Sequence, residues 1–179
     1  MTLAIWVNAL GFQCVWWALA LTVPAGHGWI GLLAAVTYLL GQLRCTNDRP
    51  QMLKAIALSA GLGLMGDTAL AQLTDVVFMT VNPAPLSKFQ PWWLLLLWAS
   101  LGCTLQSSLK WLCKWPKFSV VLSALAGVIS YQMAVPMGLM QWHDASPYWV
   151  LIFVWGMCFP VLLFEVNGAS SNQQNVRSI

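Results

Sequence analysis

The chain has 179 residues, 59% of them hydrophobic and only 7% charged, with a net charge of +3. An ordinary soluble domain is about 25% charged, so a water-soluble globular protein is excluded. The positive charge does not mark a nucleic-acid site either, because the basic residues are spread over separate short segments between apolar stretches.

A helix needs roughly 20 apolar residues to cross about 30 Å of hydrocarbon, and the sequence predicts six such spans. The first runs from Leu3 to Val23 and ends at Pro24. No basic segment precedes it, and it is longer than the core of a signal peptide, so it is expected to remain in the mature protein. The second runs from Trp29 to Leu43. Its core of about 15 residues rises only about 22 Å, so it must extend into the loops, thin the bilayer or sit inside the bundle. Five spans plus a re-entrant segment is the alternative. The third runs from Ala55 to Leu73, the fourth from Trp92 to Leu109, the fifth from Ser119 to Met140 and the sixth from Tyr148 to Phe164. Residues 1–166 thus form an all-α, polytopic transmembrane helix bundle, and 167–179 a polar cytoplasmic tail.

Loop charge sets the orientation, because Lys and Arg are retained on the cytoplasmic side. Six spans place Arg44, Arg49, Lys54, Lys110, Lys114, Lys117 and Arg177 on one side and only Lys88 on the other. Both termini are therefore expected in the cytoplasm of a bacterial inner-membrane protein. The tryptophans fit the boundaries. Trp6, Trp29, Trp92, Trp93, Trp111, Trp115, Trp142 and Trp149 fall at span ends, where indole rings anchor at the interface, and only Trp16, Trp17, Trp98 and Trp155 lie deeper.

Lipid gives helices no hydrophobic reason to associate, so small residues and polar contacts must hold them. The third span offers Ala57 with Gly61, Ser59 with Gly63, and Gly66. The fifth offers Ser123 with Gly127 and Ser130 with Ala134, and the fourth Ser100 with Thr104 and Cys103 with Ser107. Spans three, four and five are expected to form the tight centre, with Pro136 and Pro160 kinking the fifth and sixth helices.

Asp67 is the residue most able to carry chemistry. It lies beyond the midplane of the third span, where a carboxylate costs at least about 2.5–3.5 kcal/mol. It must face the bundle or a wet cavity, as an ion, proton or head-group site or as a hydrogen-bonded clasp between helices. Thr74 and Asp75 extend its stripe by helical spacing. Asn8, Gln13, Gln106, Ser107, Ser108, Tyr131 and Gln132 are further polar residues within spans, read as interhelical contacts that together line a polar interior. Glu165 reads as a solvated helix end. His27 and His143 share the outer side with Asp75 and Asp144, but no metal-ligand spacing accompanies them, and no metal or cofactor is assigned. Cys14, Cys45, Cys103, Cys113 and Cys158 form no CxxC pair and lie in spans or at the reducing face, so no disulfide framework is expected. There is no phosphate loop and no nucleophile elbow.

Asn8, Phe12, Gln13 and Trp16, the turn Gly26–Gly28, Asp67 after its Gly/Leu run, the stretch Leu97–Leu112 with Thr104 and Ser108, and Gly127 with Tyr131 together carry a likeness over nearly the whole chain. The sequence resembles a proteobacterial inner-membrane family known as domain of unknown function 2878. The resemblance brings no activity and no residue roles. Relatives tend to be encoded near enzymes resembling cyclopropane fatty acid synthase, which implies a part in membrane-lipid modification or stress response. The resulting expectation is a non-catalytic membrane protein, an accessory to lipid-modifying enzymes with the lipid bilayer as its first partner. An intramembrane lipid-modifying enzyme, or a small proton-linked transporter or channel subunit, each using Asp67, are the alternatives.

Overall fold

A computed structural model of the chain describes residues 3–79 and 88–177, with side chains to residue 168. It is an all-α bundle of apolar helices of the membrane type, joined at one end by a single pair of two-residue strands. In chain order come α1 (Leu3–Thr22), α2 (Gly28–Cys45), α3 (Arg49–Leu73), β1 (Val77–Phe78), α4 (Trp92–Gly102), a 3-10 turn (Lys110–Lys114), α5 (Pro116–Ala134), β2 (Met140–Gln141), α6 (Pro147–Phe153), a π turn (Val154–Cys158) and α7 (Phe159–Arg177). Among the described residues five helices are long and apolar enough to cross a membrane, counting α6 through α7 as one, while α4 is shorter. Large apolar side chains such as Leu10, Leu33, Met65 and Val161 face outward, which suits lipid rather than water as the solvent.

Several boundaries follow local chemistry. Asp48 caps α3, its carboxylate accepting from the Gln51 N–H at 3.1 Å, and Pro50 occupies the first turn, where a missing N–H costs nothing. The helix therefore begins six residues before Ala55, and Arg49 and Lys54 ride on its first turns. The second span, short by its apolar core, forms an 18-residue helix of about 27 Å by extending into both loops. Pro116 opens α5 in the same way.

Four expectations change. First, α4 is helical only over Trp92–Gly102, and the rest of the stretch to Leu109 is turn. The carbonyls freed by this break are satisfied locally. The N–H groups of Cys103, Thr104 and Leu105 donate to the carbonyls of Ser100, Leu101 and Gly102, and the Thr104 hydroxyl donates to Leu101 at 2.6 Å. Second, Pro136 does not kink α5. The helix stops at Ala134, because Pro136 has no N–H to give to the Gln132 carbonyl. Met140 thus lies not in a helix but in β2, which pairs antiparallel with β1 through Val77↔Gln141 and Phe78↔Met140. Third, α3 ends at Leu73, so Thr74 and Asp75 leave the helical stripe of Asp67. Thr74 turns its hydroxyl back to the Leu70 carbonyl, and Asp75 accepts from the His143 N–H beside the strand pair. Fourth, Pro160 acts upstream of itself. Its ring and missing N–H are incompatible with an ordinary bond to Gly156, and the chain widens into the π turn Val154–Cys158, with Phe159 N–H bonded to Val154.

The close packing also differs in part. As expected, α3 and α4 lie tightly together; a Cβ on Gly102 would stand 2.7 Å from the Ile56 Cα. The fifth helix instead packs mainly on α6, the π turn and α7, while α1 packs on α2 and α4. Ala35, Ala55, Leu70, Leu105, Leu163 and Val166 are fully or almost fully buried at the centre. The last helix runs on through Asn167 to Arg177; the side chain of Arg177 and residues 178–179 lie outside the described residues.

Candidate functional site

Two polar clusters and one cleft are candidates. Asp67 anchors the first cluster. It is 18 residues into α3, about 27 Å from the helix start, and 2% exposed. A carboxylate only accepts hydrogen bonds, and three donors from three segments converge on it. Tyr131 of α5 donates its hydroxyl to Oδ1. Gln90, just before α4, donates Nε2 to Oδ2 at 2.7 Å, and Trp98 of α4 donates Nε1 to the same oxygen at 2.8 Å. The indoles are seated by glycines. A Cβ on Gly63 would lie 2.2 Å from the Trp98 ring, and one on Gly127 would lie 2.1 Å from the Trp155 ring. Gly63 and Gly127 of the small-residue pattern therefore admit flat aromatic faces, while Gly66 meets Val154 and Gly31 and Gly102 bring backbones together. Trp98 and Trp155 stack with centroids 4.8 Å apart and planes at 31°, and Tyr131 meets Trp155 edge-on.

Asn8 anchors the second cluster, at the end of the bundle that carries most of the basic residues. Its side-chain nitrogen donates to the Tyr38 hydroxyl at 3.2 Å, Gln42 Oε1 at 2.8 Å and the Cys103 carbonyl at 3.1 Å. Its Oδ1 accepts from the Ser108 hydroxyl at 2.6 Å and the Ser108 N–H at 3.3 Å. One amide thus joins α1, α2 and the broken end of α4. Neighbouring amides do the same work: Asn167 donates to the Leu105 carbonyl at 3.0 Å, Gln106 to the Gln51 carbonyl at 3.1 Å and Gln51 to the Val166 carbonyl at 2.7 Å.

Of the six residues read from sequence as a polar interior, Asp67 and Tyr131 meet in one cluster, Asn8 sits in the other and Gln106 beside it. Gln13 and Gln132 are corrections, because both are exposed. The spacing that put them in spans says nothing about which face they occupy. Gln13 borders the cleft described next. Trp93, expected at the interface, is 2% exposed and donates its indole N–H to the Met79 carbonyl at 2.9 Å. Gln90 is not singled out by sequence, and Lys88 enters there only as the lone basic residue of the far side. Lys88 caps the end of α3, donating to the Ala71 carbonyl at 2.9 Å and the Thr74 carbonyl at 2.8 Å, a role that only its position after a helix C-terminus in space reveals. His143 lies 3.5 Å from Asp75, while His27 precedes α2 and is exposed. No group of three metal-ligating side chains occurs among the described residues. Glu165 faces Lys54 at 3.4 Å in an exposed pair.

Between α1 and α5, with α4 as its floor, lies a cleft of about 670 Å³. Its walls are almost wholly apolar, with Leu10, Trp16 and Trp17 on one side, Ala126, Ile129 and Met133 on the other. Trp98, Tyr131 and Trp155 line its middle, and Asp67 lies behind them, away from the lining.

No curated protein and no solved structure matches the chain. One family model does, that of proteins of unknown function designated DUF2878, over residues 5–161, which takes in both clusters and every wall of the cleft. The chain belongs to this family.

Proposed function

We propose that the chain is a multi-pass protein of the bacterial inner membrane that works without catalysis, as an accessory to membrane-lipid modification. It crosses the bilayer six times with both termini in the cytoplasm. The fourth crossing is the broken one, tolerated because its irregular backbone is buried in protein. Retention of the basic ends of α2, α3, α4 and α5 on the cytoplasmic side supports this orientation.

The observation that carries the non-catalytic reading is the state of Asp67. Both its oxygens are occupied by donors from three different segments, and an aromatic layer stands between it and the cleft. A general acid or base must reach its substrate within hydrogen-bond distance, and an ion site needs access to water. Asp67 instead clasps α3 to α4 and α5. Its effect on function then runs through assembly alone.

The test is lipid mass spectrometry of a deletion strain, complemented by the wild type or by Asp67→Asn. The accessory reading expects Asp67→Asn to restore the lipid profile in proportion to the folded protein present, and a lipid-modifying enzyme to co-purify in mild detergent. A fully folded Asp67→Asn protein that restores nothing would instead indicate the intramembrane enzyme. Loss of pH-coupled flux in liposomes with assembly intact would indicate the transporter. Labelling of a cysteine placed at Lys114 checks the sidedness, and access from the periplasm would refute it.

A further inference from the structure

Beside its basic end, the cleft between α1 and α5 has a chemistry that its apolar walls do not explain. Trp6 to Ala20 on α1 and Leu122 to Ala134 on α5 line it, so it runs about 18–21 Å along the helices. At the basic end it closes on Ser108, Leu109 and Leu112. Leu112 is 3% exposed and belongs to the 3-10 turn that also carries Lys110 and Lys114, with Lys117 on the first turn of α5. All three lysines are exposed. The ion pairs among the described residues are Lys54–Glu165 and His143–Asp75, and neither includes them. Trp111, Trp115 and Phe118 are interleaved with the lysines and are also exposed. Retention on one side of a membrane explains cations somewhere in a loop. It does not require three of them within eight residues, with aromatic neighbours, on and just after the turn whose buried leucine ends the cleft.

Two backbone irregularities also converge here. The break in α4 brings Thr104 and Ser108 to the wall, and the π turn brings Trp155. π turns recur at functional sites, and broken helices inside membranes are kept where protein buries them or a cavity adjoins them.

We propose that this cleft binds one acyl chain of an anionic glycerophospholipid drawn from the bilayer, with the lipid phosphate held among Lys110, Lys114 and Lys117. The dimensions decide against a helix as occupant. A volume of about 670 Å³ spread over that length is narrower on average than the ~10–12 Å of a helix with its side chains, and it suits a hydrocarbon chain. The charge decides the headgroup, since clustered cations at a membrane surface select anionic lipid. The proposal deepens the accessory reading by naming the lipid class, but it stands on the cleft and its rim, so a demonstrated catalytic activity would leave it intact.

Native mass spectrometry of the full chain in mild detergent tests it, with phosphatidylglycerol and phosphatidylethanolamine of identical acyl chains as probes. The wild type is expected to retain phosphatidylglycerol about tenfold better. Replacing all three lysines by glutamine is expected to keep lipid bound while removing that preference. Ala126→Trp fills the cleft from one wall and Ala9→Trp from the other, and either, once shown by melting to be folded, is expected to lose both lipids. Equal retention of the two probes by the wild type overturns the headgroup assignment. Undiminished retention by both folded tryptophan variants overturns the cleft.

Discussion

At the basic end of the bundle, the Asn8 amide bonds to the side chains of Tyr38, Gln42 and Ser108 and to two backbone groups of the broken stretch after α4, the Cys103 carbonyl and the Ser108 N–H. About three-quarters of the way along α3 the relation is inverted. There Asp67 makes the demand, and side chains of Tyr131, Gln90 and Trp98 meet it. The first cluster repairs a backbone whose carbonyls have no water to turn to. The second assembles helices around a side chain that cannot be left bare. Both join elements distant in sequence, and neither leaves its central residue facing the cleft. A polar residue deep in a span therefore identifies a junction more readily than it identifies a ligand site.

The sharpest way to break this comparison is through the glycines beneath the second cluster. Gly63→Leu drives a branched side chain into the Trp98 ring, and the neighbours on α4 are already packed. It is expected to cost more than the roughly 1–3 kcal/mol of ordinary overpacking and to prevent assembly, seen as loss of the monodisperse peak in size-exclusion chromatography. Gly61→Leu is its control, since nothing stands within 4 Å of a Cβ there, and it should elute like the wild type. Next comes Asn8→Ala, which strips partners from Tyr38, Gln42, Ser108 and the Cys103 carbonyl together. A loss of about 2–3 kcal/mol is expected, read from unfolding in mixed detergent. Asp67→Asn should cost less, about 1–2 kcal/mol in the same assay. The amide keeps an accepting oxygen while turning its NH₂ group toward a donor. If it proves more damaging than Asn8→Ala, the negative charge itself contributes and the parallel between the clusters fails. Smallest is Lys54→Ala, which removes the exposed pair with Glu165 and should change stability by less than about 0.5 kcal/mol.

The sequence shows unequal amounts of these two junctions. Asn8 and Asp67 stand out by depth, because a polar group surrounded by apolar residues must find partners. Their partners do not stand out. Gln90 and Lys88 lie in a segment that reads as a plain loop, and only the fold brings them against α3. The apolar length of the helices is legible in the sequence, yet the end of α4 is not, since Cys103–Leu109 mixes Thr104, Gln106, Ser107 and Ser108 with apolar residues and its turns depend on Asn8 and Asn167 reaching across. β1 and β2 have two residues each, too few for any alternation to register. Gln13 and Gln132 show the converse failure: both lie in helices, as their apolar surroundings suggest, but the helix face each side chain takes depends on packing that composition does not encode.

The π turn carries a surplus residue, so the helix after it is rotated by about 100° relative to an unbroken helix of the same sequence. Asn167, which donates to the Leu105 carbonyl, lies on the helix that this offset turns. Deleting any one position from 154 to 158 would therefore act as a phase error rather than a local defect. It would swing the whole C-terminal segment around its axis and detach it from the opposite end of the molecule, far from the edit. Length variation among relatives should be scarce in this turn and common in the loops.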